Sequence, residues 1–387
     1  MRGLARDISL AVGTAAAMGF TYGAHGPVLP LISSEFHLAD VQAGLISTVL
    51  FLSAALTMLA LGGSLDRYEP RTLVAIGVAL ALAGNVASAL APSYEWLLAA
   101  KVTGGIAAAI GFLAGVRYVT ARYGDSRSHF GQGLYGAGYP LGSAIGLWVM
   151  PSLALAWGWR GAFAATSVVI ALVLLAWLAA TAVPPTRRPG TIADAMRCRN
   201  CWGTAAQHAA GFGLVFAAAT WITTFLLREF SLPLGASGIL GSILLFVTVL
   251  ARPAGGSLVA REHLRTLTVM RLAQLLILAG AALLAWPDRS LAVALVGTGA
   301  MGVGAGLPYA SVFNTAAASL PARPAAAQSL TALGGFGGTL VGAPAMGYAI
   351  DTWGFSVAWL ILGLISVFAL VVTLVMRGEE DLAGAGA

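Results

Sequence analysis

Polar positions in this chain punctuate long apolar runs, and the runs share a common length. An α-helix needs about 20 apolar residues to cross the hydrocarbon core of a bilayer. Runs of that kind occupy residues 8–31, 41–63, 72–92, 95–119, 129–154 and 161–183. Six more occupy 203–227, 236–259, 266–286, 290–316, 326–350 and 355–376. The longest polar stretch runs from Pro184 to Cys201, with Pro184, Pro185, Arg187, Arg188 and Pro189, and it separates the sixth run from the seventh. The pattern predicts an all-α membrane protein of twelve transmembrane helices, spans one to twelve. A six-helix bundle over 1–183 is joined by a linker at 184–202 to a second bundle with a short tail over 203–387.

Composition points the same way. The chain has 387 residues, 58% of them hydrophobic and 9% charged, with a mean hydropathy of +0.86. Soluble globular chains carry about 25% charged residues, so this one lacks the polar surface for water and needs a lipid bilayer as its partner. Arg2 and Arg6 before the first run imitate a secretory signal. That run is too long for a signal core, and eleven similar ones follow, so it reads as span one.

The net charge of +6 does not point to nucleic acid, because the arginines sit in short loops where cations orient helices. With the N-terminus inside, the inner side holds Arg2, Arg6, Arg67, Arg71, Arg122, Arg127, Arg187, Arg188, Arg197, Arg199, Arg261, Arg265, Arg323 and Arg377, against Arg160, Arg228 and Arg289 outside. This asymmetry predicts a multi-pass protein of the cell inner membrane with both termini and the linker cytoplasmic; a monomer is expected. Cys198 and Cys201 form a CxxC without the βαβ context of a redox site or the second ligand pair of a zinc site. No HExxH, GxSxG or Walker loop is present. The reading is therefore a carrier rather than an enzyme, with no cofactor or metal.

After span two comes Gly62-Gly63-Ser64-Leu65-Asp66-Arg67-Tyr68-Glu69-Pro70-Arg71. It resembles the cytoplasmic loop motif of major facilitator secondary transporters: a small-residue helix end, Asp-Arg, then a basic residue. After span eight, Gly255-Gly256-Ser257-Leu258-Val259-Ala260-Arg261 occupies the corresponding place, with Val-Ala where an acid is expected. Repeated halves of this kind are what parallel-repeat carriers show, so the two bundles are expected to be pseudo-symmetric. Leu98-Ala99-Ala100-Lys101-Val102-Thr103-Gly104-Gly105 resembles the family's span-four pattern, with Lys101 in place of the usual arginine. Trp157-Gly158-Trp159-Arg160 is similar to the family's segment before span six, and Gly138-Tyr139-Pro140-Leu141-Gly142 is a partial match to its antiporter pattern. Ala251-Arg252-Pro253 with Gly255-Gly256 resembles the nitrate/nitrite porter branch. That resemblance implies anion contact for Arg252, while the second arginine of the branch is Met58 here. The family likeness also implies a cavity lined by spans one, four, seven and ten, and gating by Asp66, Arg67 and Arg71.

An ionisable group at membrane depth is costly and marks a pathway by default. Lys101, Arg117, Arg252 and Arg271 fall inside predicted spans. Arg117 and Arg271 are near enough to span ends to snorkel. Lys101, the single lysine against twenty arginines, lies two turns into span four. Arg252 lies nine residues, about 13 Å, from Arg261 at the loop. The acids all fall in loops, tails or helix ends. Buried cations without buried carboxylates invite an anionic partner. Tyr22 and His25, three apart on span one, Trp221 on span seven, and Tyr309 and Asn314 on span ten could complete such a site. His25 could act as a proton-linked switch or be a hydrogen-bonded helix residue.

The expectation is thus a secondary active transporter moving a small anion, organic carboxylate or inorganic oxyanion, by alternating access. Protons or a counter-anion are the coupling partners left open. The competing expectation is a drug or metabolite efflux antiporter.

Overall fold

The computed structural model describes residues 2–61, 67–123, 128–185, 192–261 and 263–384. Each of the twelve apolar runs is helical within them. Asp40–Leu61, Pro70–Ala89, Tyr94–Tyr123, Leu234–Ala260, Thr266–Ala285 and Phe355–Val372 are spans two, three, four, eight, nine and twelve. Span one is Arg2–Gly23 and Leu29–Phe36, joined by a 3-10 turn at Gly26–Val28. The break falls where Pro27 and Pro30 cannot donate backbone hydrogen bonds. Span seven runs from Arg199 to Phe230 through a π-helical turn at Ala209–Gly213, and span ten is Leu291–Gly306 and Tyr309–Ser319, broken before Pro308. Pro324–Trp353 is span eleven.

Spans five and six lie within the single stretch Ser128–Trp177, divided at Gly158 with φ 69° and ψ 166°. A backbone at positive φ suits glycine, which has no Cβ to clash with the carbonyl. The turn between spans eleven and twelve repeats the device: Gly354 has φ 82° and ψ 177°, in Trp353-Gly354-Phe355. The pair is an internal repeat of structure that the loop motifs only hinted at.

Chain contacts divide the molecule into two compact units: residues 1–38, 45–189 and 222–242, and residues 39–44, 190–221 and 243–387. In the first, Arg160 donates to the Ala91 carbonyl at 2.9 and 2.6 Å and to Glu35 at 2.6 Å, while Trp159 Nε1 donates to Glu35 at 2.7 Å. The Trp-Gly-Trp-Arg segment thereby ties the ends of spans one, three and six together. Buried Asp7 pairs with Arg122 at 2.8 Å. The guanidinium of Arg71, of the expected gating set, donates to the Leu178 carbonyl, and the Arg71 backbone carbonyl accepts from Trp177 Nε1 at 2.9 Å. Arg67 is exposed, and Asp66 lies outside the described residues.

In the second unit the carboxylate of Asp351, at the end of span eleven, accepts from the backbone N–H groups of Asp40 (3.0 Å) and Val41 (2.8 Å) at the start of span two. Arg271 donates to the hydroxyl and carbonyl of Thr373 at 3.0 and 3.3 Å. That contact gives its charge a protein partner in span twelve. Cys201 is buried and Cys198 Sγ lies 3.7 Å from the Ser319 carbonyl.

Glycine lets the helices touch. A Cβ at Gly334 or Gly338 of span eleven would strike the span-seven backbone at Ala205 or Ala209, and one at Gly302 or Gly306 of span ten would strike span eight. This is small-residue packing, which substitutes for a hydrophobic driving force that lipid does not supply. Large apolar side chains such as Leu155, Leu250, Leu364 and Phe368 are exposed. In water such a surface would associate; in hydrocarbon it is the solvated face.

Candidate functional site: a buried cation cluster in each unit

In the first unit, span four carries Lys101 inward, where it is 4% exposed. Its Nζ stands 4.5 Å from the centre of the Phe163 ring on span six. Among the described residues no carboxylate or hydrogen-bond acceptor pairs with this ammonium. Its surroundings are helped by Asn85 on span three, whose amide donates to Phe163 O at 2.9 Å, Thr166 at 3.1 Å and Ser167 at 3.0 Å. That triple contact fixes the turn bearing Phe163.

His25 of span one is fully buried and within electrostatic range of Lys101. Its Nε2 shares a 2.7 Å hydrogen bond with Ser47 Oγ of span two, while Nδ1 has no protein partner among the described residues. Tyr22, one turn earlier, lies 5.2 Å from Phe51 and 5.5 Å from Tyr139, ring centre to ring centre. Tyr139 in turn meets Tyr135, whose hydroxyl donates to Gly111 O at 2.8 Å. The first unit thus assembles a cation, an imidazole and stacked phenols, joining the expected Tyr22, His25 and Lys101 to the aromatics of span five.

In the second unit, Arg252 of span eight is 6% exposed. Its guanidinium carbon is 4.0 Å from the centre of the Tyr309 ring on span ten, which uses the quadrupole of the ring to hold a buried cation. Tyr309 packs on Phe313 at 4.8 Å. The third member is one that the reading of the sequence passed over. His208 of span seven lies 6.2 Å from Tyr309, 5.0 Å from Phe313 and 5.1 Å from Phe212. The signal available in the sequence was slight: a histidine inside an apolar run, four residues before Phe212.

Two expected residues fall elsewhere in this unit. Trp221 is fully buried with its indole N–H bonded to Ala343 O at 2.9 Å, so its donor is spent on span eleven. Asn314 lines a cavity of about 670 Å3 together with Gly256, Arg265, Ser311, Glu379 and Glu380, at the tail-bearing end of the unit.

Among curated proteins, the chain is 26% identical to a probable nitrate/nitrite antiporter of Thermus thermophilus over 59% of its own length and 55% of that relative. It is 30% identical to a nitrate/nitrite transporter of Nostoc punctiforme over 38% and 31%, and 26% identical to a nitrite extrusion protein of Bacillus subtilis over 59% and 58%. The match thus spans about half, or less, of these relatives. Among solved structures, a bacterial homolog of the human lysosomal transporter Spinster, inward-facing and occupied, aligns with a TM-score of 0.72 over 95% of each chain at 16% identity. This likeness is one of fold. The sequence profile of the Major Facilitator Superfamily matches residues 11–330, and the chain belongs to that family.

Proposed function

We propose that this protein is a secondary transporter of a small anion, working by alternating access, with Lys101 and Arg252 as the cations that meet the substrate. The observation that carries the reading is the state of Lys101: an ammonium 4% exposed, faced by a ring and by no carboxylate among the described residues. A buried charge left without a counter-charge is costly. A negatively charged substrate offsets that cost each time it binds. The names of the relatives, nitrate and nitrite porters, favour a small inorganic oxyanion within the class. His25 within reach of the Lys101 charge, Tyr22 one turn before it, and Tyr309 beside Arg252 supply hydroxyl and imidazole groups for orientation. Trp221 and Asn314 remain candidates of the same site by their spans. Asp66, Arg67 and Arg71 are assigned to gating. The charge pattern of the loops supports inner-membrane insertion with both termini in the cytoplasm.

The test is a thermal-shift screen of the purified protein with nitrate, nitrite, phosphate, succinate and a set of lipophilic cations. A ligand of the native state raises stability by mass action, about 2.7 kcal/mol at a hundredfold excess over Kd. Stabilisation by one or more anions, and by none of the cations, is the expected result. The reverse pattern replaces this reading with drug efflux.

A further inference from the structure

We infer that His208 binds the proton that travels with the anion, which makes the transporter a proton–anion symporter; this rests on the anion reading of Arg252. His208 ends the helical segment Arg199–His208, immediately before the π-helical turn Ala209–Gly213. Such turns rearrange the backbone hydrogen bonds of a helix and are frequent at functional sites. The imidazole is more than nine-tenths buried, at 8% exposure. It is caged by Phe212 and Phe313, and span eleven closes on it through Gly335, where a Cβ would stand 3.0 Å from Nε2. Among the described residues no protein group donates to or accepts from either ring nitrogen.

Span eight offers Arg252, whose charge reaches His208, span ten offers Tyr309, and span eleven offers Gly335 with no charge. The other neighbours are the rings of Phe212 and Phe313. Arg252 and His208 therefore abut the same Tyr309 ring. An imidazolium and a guanidinium so placed repel one another, and an anion lodged against both attracts both. Proton and anion then favour each other's binding by the same factor, as linkage requires. The pairing also has an energetic purpose. Moving one net charge against the membrane potential costs free energy in proportion to that potential. A monovalent anion accompanied by a proton carries no net charge and escapes that cost.

The test is titration calorimetry of the purified full-length protein with nitrate, nitrite, phosphate and succinate. Each titration is made in two buffers of different ionisation enthalpy, between pH about 6 and about 8, where a histidine exchanges its proton. The difference between buffers counts protons taken up on binding. Uptake by the parent, with binding that weakens as pH rises, is expected. His208→Gln should still bind the anion, more weakly, without uptake and without the pH dependence. His208→Tyr keeps a ring against Phe212 and Phe313 and should behave like it, which guards against misfolding of the first variant. Anion binding by the parent without proton uptake overturns the coupling while leaving the anion site intact. Undiminished uptake in either folded variant places the proton elsewhere and overturns the role of His208. No binding of any of the four anions by the parent removes the anion reading, and this inference with it.

Discussion

The guanidinium of Arg252 and the ring of Tyr309, on spans eight and ten, meet at 4.0 Å. The ring holds the cation through its face, and the hydroxyl remains available to a ligand. The two functions separate by mutation. Tyr309→Phe keeps the face, so anion binding should fall only by what one neutral hydrogen bond contributes, about 1 kcal/mol. Tyr309→Leu loses the face as well and should cost about 1–2 kcal/mol more at this desolvated position. Equilibrium binding to the purified variants checks both values. Equal effects of Phe and Leu would show that the cation–π contact contributes nothing.

Removing either cation should be more severe. Lys101→Ala and Arg252→Ala are each expected to weaken anion binding by about 2–5 kcal/mol, the usual consequence of truncating one partner of a buried charged pair. Lys101→Arg retains the charge but is bulkier and planar, so partial recovery is expected. The measurement is anion affinity of folded protein, with folding verified by an unchanged monodisperse profile. Parent-like affinity in both alanine variants would make these residues structural.

The paired turns at Gly158 and Gly354 predict a purely conformational loss. Neither position has an atom within 4 Å of a built Cβ, so Gly158→Ala and Gly354→Ala introduce no clash. Each should still cost about 1–3 kcal/mol, because positive φ combined with ψ of 166° or 177° is a region essentially confined to glycine. Asparagine, which tolerates positive φ only with ψ of about +45°, should not recover it at these ψ values of 166° and 177°. Thermal unfolding in detergent or nanodiscs reads it. An alanine variant as stable as the parent would mean that the turn relaxes to negative φ without consequence.

Asp351 acts as a helix cap supplied from far along the chain, its two oxygens on the N–H groups of Asp40 and Val41. A carboxylate there satisfies orphan donors and complements the helix dipole. Asp351→Ala should cost about 0.5–2 kcal/mol of stability, in the range of other caps. Asp351→Asn, which keeps one acceptor, should cost less. Unfolding midpoints of the three proteins decide the matter, and an Asn variant worse than Ala would reject capping as the role.

The tail provides a pH prediction. Glu380 accepts from the Thr266 backbone N–H and hydroxyl, both at 2.8 Å, at the start of span nine. Burial would raise its pKa, but these bonds and the Arg265 charge prevail and lower it. A carboxyl with a depressed folded pKa adds stability above its unfolded value of about 4.3 and loses it as pH falls through the folded value. The docked tail should therefore loosen on acidification below about pH 4 and be held at neutral pH. The amount is small for so exposed a group, about 0.5–1 kcal/mol. The protection of the Thr266 and Glu379 amides, relative to the intrinsic exchange rate at each pH, should fall in acid and, at neutral pH, in Glu380→Gln. Exchange that does not respond to the variant would mean that Arg265 and Asp381 hold the tail without Glu380.

The sequence by itself laid out the apolar spans, because hydropathy over about 20 residues is a property of contiguous chain, and its loop motifs carried the resemblance to the family. It also singled out Lys101 and Arg252, since a cation inside an apolar run is conspicuous without any partner. It did not bring forward His208, nor show that Trp221 spends its N–H on Ala343 or that Asp351 caps a helix 311 residues away. Those depend on which face of each helix turns inward. In a soluble helix a polar stripe reveals the outer face, but here lipid and protein interior are equally apolar and the stripe is missing. Glycine and alanine fill the contacts, and they look alike on every side. Tertiary packing alone selects the faces, through the close approach permitted at positions such as Gly335 and Gly338, and with them it decides which side chains share a site.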